Sequence, residues 1–347
     1  MKKRWRQIFV VFLAVLLIGL TACSNEETAE TEAQTNETSA ETSEERAEEV
    51  SSETGNAEAE NAATTEGYDL AIILGSAEMP FTQVLLQGVE ANIRPEDNLS
   101  VYYCDWDANK AIQLVEDICA NNVDAIMLDP PDPDAILPAL QTAQDAGIPI
   151  ISYDCSTNYP DYLAAQISSD DVEAGYLICK ELFEALGGEG VVQSYVTNTT
   201  KNSQNRLIGM EKALEEYPGI EWVYNSQEKF DPESAIRVFE SMLLSHPDTD
   251  AFFCANENIV QAAATVLESN GLTGEILLGN VGAGTVIKEY LNDDRIYCAY
   301  DSQPYTMGEM TVEITYDILD NGTEYDANDP IYVPGEIRKK GDDYFAG

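Results

Sequence analysis

Residues 148–155 read Ile148-Pro149-Ile150-Ile151-Ser152-Tyr153-Asp154-Cys155, and this stretch decides the fold. A short, β-branched apolar run that is closed by polar residues predicts a strand buried on both faces, as in a parallel sheet. The preceding segment, residues 133–147, predicts a helix that ends at a glycine. Ligands of open parallel sheets bind outside the carboxyl ends of the strands. Asp154 follows the strand directly and is therefore expected at a ligand site.

Outward from this stretch, short apolar runs alternate with helical periodicity along the chain from Tyr68 onward. Strands separated by helices of this length predict right-handed βαβ crossovers and parallel sheets. The alternation starts afresh after Ser169 and produces a second set of similar size. At 347 residues the chain also exceeds what one core usually covers. The pattern therefore predicts two similar α/β lobes.

The first 23 residues predict an export signal rather than a part of the fold. A basic start, residues 2–6, precedes an apolar run, residues 8–20, that is too short for a comfortable membrane span. The sequence Leu20-Thr21-Ala22-Cys23 then resembles the bacterial lipoprotein signal. This resemblance implies that Cys23 becomes the lipidated first residue of the mature protein, on the extracytoplasmic face of the cell membrane. An uncleaved anchor is the alternative, and it would leave the domain on the same side.

Residues 24–67 contain 14 Glu and a single Arg among Ser, Thr, Ala and Asn. So little apolar surface predicts a disordered acidic tether. The whole chain has 63 acidic and 18 basic residues, a formal net charge of −45. This charge repels nucleic-acid phosphates and anionic headgroups. The sequence therefore predicts no nucleic-acid partner and membrane attachment through the lipid anchor only.

Cysteine spacing argues against a metal site. Six cysteines follow Cys23, none forms a CxxC pair, and the chain has a single histidine, His246. Most of the six fall inside apolar strand or helix patterns, where a cysteine behaves as a small hydrophobe. We favour buried free thiols, although an even number outside the cytoplasm also permits disulfides. No metal and no cofactor are predicted.

Several short motifs occur in an order that is typical of one family. They are Met79-Pro80-Phe81 after the opening strand, Tyr153-Asp154, Ser169-Asp170-Asp171 with Ala174-Gly175, Asn205-Arg206 with Gly209, Phe230-Asp231, Asn256-Glu257, and Gln303-Pro304-Tyr305 with Gly308. Together, from Leu70 to about Val333, the chain resembles the type I periplasmic binding proteins of the ribose and galactose branch. That family serves sugar uptake by ABC transporters.

The resemblance implies an α/β fold of two Rossmann-like lobes with parallel sheets, joined by a three-strand hinge, with the ligand between the lobes. It places the N-terminal lobe at residues 68–168 plus 303–329. The C-terminal lobe would comprise residues 169–302 plus 330–347. The chain would thus cross near Ser169, near Gln303 and again near Pro330.

A sugar hydroxyl both donates and accepts hydrogen bonds, so planar carboxylate, guanidinium and amide groups engage neighbouring hydroxyls in pairs. The C–H face of a sugar packs on an aromatic ring. The candidate ligand-binding residues that the resemblance selects are Asp154, Arg206, Asn256, Gln303, Phe81, Phe230 and Met79.

Several of these candidates have a structural alternative. Asp154 could cap the next segment, and Asn256 could cap the helix that it opens. Arg206 could form a solvated ion pair on its helix. Phe81 and Phe230 could belong to the core.

The chain departs from the family at positions that bear on the ligand. Met79 replaces an Asn, Cys155 replaces an Arg, and Gly279-Asn280-Val281-Gly282 lacks the carboxylate of Gly-x-Asp-Gly. Gln303 is also displaced by about one place. Each unmet hydroxyl would cost about 1–3 kcal/mol if buried. The ligand is therefore expected to be a modified or less polar sugar, a polyol, a nucleoside or another small solute rather than ordinary ribose or glucose.

The sequence favours a monomeric substrate-binding lipoprotein that closes on its ligand and delivers it to the permease and ATPase of an ABC transporter. An extracytoplasmic sensor that reports to a two-component kinase or a chemoreceptor is the alternative. An enzyme is disfavoured because the sequence lacks a nucleophile elbow, a P-loop and HExxH. A sugar-dependent repressor is excluded because the chain starts with an export signal, not a basic helix-turn-helix.

Overall fold

The computed structural model describes residues 67–197, 200–228 and 231–344. The predicted signal, with Cys23, and the predicted tether lie outside the described residues, and so does Phe230. In the described part of the chain, no helix combines the length and apolar character that a membrane crossing needs.

The first lobe is a six-stranded sheet flanked by helices. Its strands are β1 (Asp69–Leu74), β2 (Asn98–Tyr103), β3 (Ala125–Leu128), β4 (Ile150–Tyr153), β5 (Ala165–Ser169) and β11 (Ile331–Val333). Its helices are α1 (Pro80–Asn92), α2 (Ala108–Ala120), α3 (Leu137–Ala146) and α9 (Pro304–Asn321), with a 3-10 turn at Pro160–Tyr162. The strand order is β11-β5-β4-β3-β1-β2, and every pairing is parallel.

The second lobe repeats this plan. Its strands are β6 (Glu189–Tyr195), β7 (Gly219–Ser226), β8 (Ala251–Cys254), β9 (Leu277–Val281), β10 (Cys298–Asp301) and β12 (Glu336–Arg338). Its helices are α4 (Asp171–Ala185), α5 (Lys201–Glu216), α6 (Pro232–Ser245), α7 (Glu257–Ser269) and α8 (Thr285–Asn292). The order β12-β10-β9-β8-β6-β7 is parallel except for the β10–β12 pair. The two α/β lobes with parallel-dominated sheets confirm the predicted fold class.

The central strands of both sheets are buried, as residues 148–155 predict for β4. All four residues of β3, of β4 and of β8 are buried, as expected for strands covered by helices on both faces. The helix predicted from residue 133 begins only at Leu137. The reason is an Asp132 turn, in which the Asp132 carboxylate accepts hydrogen bonds from the backbone N–H groups of Asp134 and Ala135.

The last crossing between the lobes lies beyond the predicted position near Pro330. β11 pairs in parallel with β5, with Ile331 opposite Ile167, so the chain stays in the first sheet through Val333. β12 then joins the second sheet against β10. The turn between them requires Gly335, because a Cβ atom there would lie 2.2 Å from the Tyr300 ring.

All six described cysteines are buried and unpaired with one another. They are Cys104, Cys119, Cys155, Cys179, Cys254 and Cys298, and most belong to the apolar cores of the two lobes. This agrees with the prediction of buried free thiols.

Candidate ligand-binding site

Two aspartates stand side by side at the carboxyl edge of the first sheet. Asp129 follows β3 and Asp154 follows β4, and these strands are neighbours. The backbone N–H of Cys155 donates to Asp129 Oδ1 at 3.3 Å, which links the two strand ends. Asp154 has a φ of +55°, a left-handed conformation that is unusual for a residue other than glycine. Its carbonyl accepts a hydrogen bond from Ser168 Oγ at 2.9 Å, which helps to hold this turn.

The second lobe meets Asp154 through helix α5. Asn202 Nδ2 donates to Asp154 Oδ1 at 3.0 Å, a hydrogen bond that crosses from one lobe to the other. One turn later, Arg206 Nε donates to Asp171 Oδ1 at 2.7 Å. An Arg206 guanidinium N–H also donates to the Ala255 carbonyl at 2.7 Å. The Arg206 side chain is only 13% exposed, so the solvated ion pair considered from sequence is not what forms.

Burial and like charges dominate the electrostatics of this cluster. Burial, together with the nearby Asp171 charge, raises the pKa of Asp154 to about 7, while Arg206 opposes the shift. Burial, with the adjacent Asp154 charge, raises the pKa of Asp129 well above its usual range. Burial also raises the pKa of Asp171, although Arg206 counteracts it. The cleft therefore holds several carboxyl groups in an environment that disfavours their charged form.

Residues of both lobes also line a small cavity. Its lining includes Pro80, Phe81 and Val84 of α1, Glu257 of α7, residues 282–284, Asp301, Ser302 and Pro304. Glu257 Oε1 accepts a hydrogen bond from the Gly284 backbone N–H at 2.8 Å. Gly282 has a φ of +104°, and a Cβ atom there would lie 2.5 Å from Glu257 Cγ. The glycine loop thus wraps the buried Glu257 side chain.

Three further candidates, Met79, Asn256 and Phe81, make contacts outside the Asp154 and Arg206 cluster. Met79 precedes α1, and its Sδ lies 3.1 Å from the Trp106 indole N–H. Asn256 caps α7 by accepting from the Ile259 N–H at 3.0 Å, which is the structural role considered from sequence. Phe81 is half-buried, packs against the first core and reaches the cavity.

Gln303 lies in the hinge. Its φ is +51°, and its side-chain amide donates to the Pro334 carbonyl at 2.5 Å. The amide therefore ties two of the three crossing segments together. The described hydrogen bonds bring Asp154 and Arg206 into one cluster but do not connect Gln303 to it.

Sequence reasoning missed Asp129, Asp171, Asn202 and Glu257 as site residues. Asp129 carries the same signal that selected Asp154, because it directly follows a buried strand, and the rule about strand ends would have found it. Asn202, by contrast, reaches Asp154 through the juxtaposition of two lobes, which no local pattern predicts.

Within residues 67–197, 200–228 and 231–344, one group of side chains has the spacing of a metal-ligand set: Asp129, Asp154 and Cys155. Their potential ligand atoms all lie within 4.8 Å of one another. Burial and the neighbouring carboxylates raise the pKa of Cys155 well above its usual range, which disfavours the thiolate that a metal requires. The cluster thus offers two carboxyl groups and a thiol whose deprotonation is disfavoured.

A larger surface cavity, about 410 Å³, lies away from the cleft, at the amino ends of β9 and β10. Its lining includes three basic side chains, each of which pairs with a carboxylate: Lys339 with Glu181, Lys340 with Asp294, and Arg295 with Glu268. The carboxyl strand ends and the crossing segments lie elsewhere, so the cleft is the candidate ligand site.

The two lobes are doubly wound, and open sheets of this kind bind ligands outside the carboxyl ends of their strands, where the polar groups described above lie. The sequence matches the periplasmic binding protein domain over residues 70–324, and the chain belongs to this family. The recognised resemblance is thereby confirmed.

Two of the relatives that the sequence matches are named as sugar import binding proteins. The chain is 25% identical over 270 residues to the ribose import binding protein of Bacillus subtilis, covering 76% of this chain and 85% of the relative. It is 27% identical over 246 residues to the D-apiose import binding protein of Paraburkholderia graminis, covering 70% and 76%.

Solved structures agree. An ABC transporter solute-binding protein from Actinobacillus succinogenes with bound D-allose superposes with a TM-score of 0.74 at 26% identity, covering 79% of this chain and 98% of that one. A solute-binding protein from Bacillus halodurans with bound myo-inositol shares the fold, with a TM-score of 0.72 at 21% identity over 80% and 96% of the chains.

Proposed function

We propose that this protein is the substrate-binding lipoprotein of an ABC transporter, which binds a sugar or sugar-like solute between its lobes and delivers it to a membrane permease and its ATPase. It works as a monomer, by hinge closure and without a covalent step. The ligand's better fit to the closed state drives closure.

The observation that supports this proposal best is the polar cluster at the interface of the lobes. Asp154 from the first lobe, together with Asn202 and Arg206 from the second, offers carboxylate, amide and guanidinium groups within one cleft. Such planar groups match paired hydroxyls. The names of the relatives, which specify ribose, D-apiose and D-allose, support the same ligand class.

A thermal-shift screen of the purified protein tests the ligand class. A ligand that binds only the folded form raises Tm by mass action. The panel contains D-ribose, D-allose, D-apiose, xylitol, myo-inositol, nucleosides and amino acids. We expect at least one sugar or polyol to raise Tm in a concentration-dependent manner. A shift with nucleosides or amino acids alone would replace the ligand class while keeping the solute-binding role.

Attachment to the extracytoplasmic face of the membrane through Cys23 is part of the proposal. Its support is the signal-like sequence that ends at Ala22-Cys23. In bacteria fed a labelled fatty acid, the full chain is expected to acquire the label and to sediment with membranes, whereas Cys23→Ser is expected to do neither. Equal labelling of both proteins would refute the lipid anchor.

A further inference from the structure

The cleft contains more carboxyl groups than its basic side chain can pair with among the described residues. Asp129 and Asp154 lie together at the ends of β3 and β4, and helix α5 reaches Asp154 through Asn202 and Asp171 of α4 through Arg206. Arg206 is already bonded to Asp171 and to the Ala255 carbonyl. Among the described contacts, no cation bonds to Asp129 or Asp154.

Buried acceptor atoms in the same region also lack partners. Asp171 is 2% exposed and Glu257 is 8% exposed, yet Asp171 Oδ2 and Glu257 Oε2 accept no hydrogen bond from the described residues. A buried carboxylate oxygen without a donor is costly. Asp171 lies close enough to Asp154 for its charge to raise the pKa of the Asp154 carboxyl. The cleft is therefore short of donors and of positive charge.

Cys155, whose backbone links the ends of β3 and β4, does not relieve the shortage of donors and positive charge. Cys155 directly follows Asp154, and its backbone N–H donates to Asp129 Oδ1 at 3.3 Å. Its side chain contributes no positive charge. Asp129 and Asp154 thus lie close together, and no cationic side chain of the described residues bonds to either.

We propose that the cleft selects a ligand that carries a protonated amine beside its hydroxyl groups, in the class of amino sugars and amino polyols. This inference rests on the proposed function. An ammonium group provides three hydrogen-bond donors and no acceptor, which suits neighbouring carboxylates, whereas a hydroxyl provides one donor and no charge. Arg206, Asn202 and the remaining carboxylate oxygens are then left for the hydroxyls.

Matched ligands test the charge directly by titration calorimetry of the purified wild-type protein at pH 7. D-glucosamine is compared with D-glucose and N-acetyl-D-glucosamine, D-galactosamine with D-galactose, and D-glucamine with D-glucitol. We expect at least one amine to bind about tenfold or more tightly than its hydroxyl counterpart, because a charge-assisted hydrogen bond is stronger than a neutral one. The N-acetyl form keeps the nitrogen but loses the charge, so it is expected to bind no better than the neutral sugar.

Two variants, at opposite ends of β3, test whether the preference for the amine depends on Asp129. Asp129→Asn removes the carboxylate at the carboxyl end of β3 and is expected to reduce the preference for the amine about tenfold. Asp124→Asn removes an exposed carboxylate just before the amino end of the same strand and is expected to leave the preference unchanged. An equal loss in both variants would contradict a local role for Asp129.

The remaining outcomes separate this inference from the function on which it rests. Neutral sugars or polyols that bind as tightly as their amines would overturn the amine inference and leave sugar binding intact. Failure of every sugar, polyol and amine to bind would overturn both. Stabilisation by Mg²⁺ or Ca²⁺ alone, with no amine preference, would show that the carboxylates serve a metal ion instead.

Discussion

At the scale of single residues, one backbone conformation places the Asp154 carboxylate at the interface of the two lobes. Its left-handed φ of +55° follows a fully buried strand and redirects the chain, and the carboxylate meets Asn202 of the other lobe at 3.0 Å. Left-handed backbone in a residue other than glycine costs energy and commonly marks a functional position. The capping role considered from sequence does not account for a carboxylate that bonds across the cleft.

The raised pKa of Asp154 predicts a definite pH dependence of stability. A carboxyl whose pKa is about 7 in the folded protein and lower in the unfolded chain stabilises the fold below the unfolded pKa, and this contribution is lost as the pH rises through 7. The facing groups are Asp129, Asp171, Arg206 and Cys155. Between pH 4 and 8, the free energy of unfolding of the ligand-free wild type is expected to fall by about 1–3 kcal/mol more than that of Asp154→Asn.

Urea unfolding across this pH range measures the effect, and Asp124→Asn serves as the control for loss of one exposed carboxylate. Parallel stability profiles for wild type and Asp154→Asn would show that Asp154 is not held in the uncompensated environment described above.

The candidate residues illustrate what a sequence can predict at this scale. Asp154 was predictable because a buried strand and its end are both visible in the sequence. Arg206 and Asp171 both belong to motifs, but their ion pair was not predicted, since it joins two helices at positions 35 residues apart. Gln303 was predicted to contact ligand, yet its amide bonds to the Pro334 carbonyl in the hinge. Its ligand role stays a prediction.

At the scale of elements, a close crossing of α4 and α5 positions Arg206. A Cβ atom at Gly175 would lie 2.1 Å from the Arg206 carbonyl oxygen, and one at Gly209 would lie 2.1 Å from the Val172 carbonyl oxygen. The first lobe has the same kind of close helix crossing, between α1 and α9, with Gly88 and Gly308 at the contact. Glycine is therefore required at these positions for helix contact, not for backbone freedom.

Gly209→Ala is expected to destabilise the protein by about 1–3 kcal/mol, although alanine favours helices over glycine by about 1 kcal/mol. Displacement of α5 should also weaken ligand binding, because Arg206 and Asn202 move with the helix. Chemical denaturation and calorimetry measure both effects. Glu211→Ala, at an exposed position of the same helix, is the control and should change stability by less than about 0.5 kcal/mol. Equal stability of Gly209→Ala and wild type would contradict the close crossing.

Element order was largely predictable because the strands are continuous apolar runs and several helices begin at capping residues such as Asp107, Asp170 and Asp231. The position of the last crossing was not, because β11 and β12 are three-residue strands. Such strands have no periodicity of their own, and their sheet partners come from distant parts of the chain.

At the scale of the whole molecule, the hydrogen bond from Asn202 to Asp154 joins the lobes directly. Asn202→Ala is expected to shift the ligand-free protein toward open conformations, since one contact of the closed arrangement is lost. Small-angle scattering should then give a larger radius of gyration without ligand and the wild-type value with saturating ligand. Asn121→Ala is the control, because the exposed Asn121 side chain bonds only to the Asp117 carbonyl at the end of α2 among the described contacts. An unchanged radius of gyration would indicate that this contact does not influence closure.

The measurement that tests the central claim most directly is a calorimetric titration of the ligand found in the screen into wild type, Asp154→Ala and Asp124→Ala. If the cleft is the binding site, Asp154→Ala will bind about a hundredfold or more weakly than wild type at unchanged folding, and Asp124→Ala will bind as wild type does. Wild-type affinity in Asp154→Ala would contradict the assignment of the ligand to the cleft between the lobes.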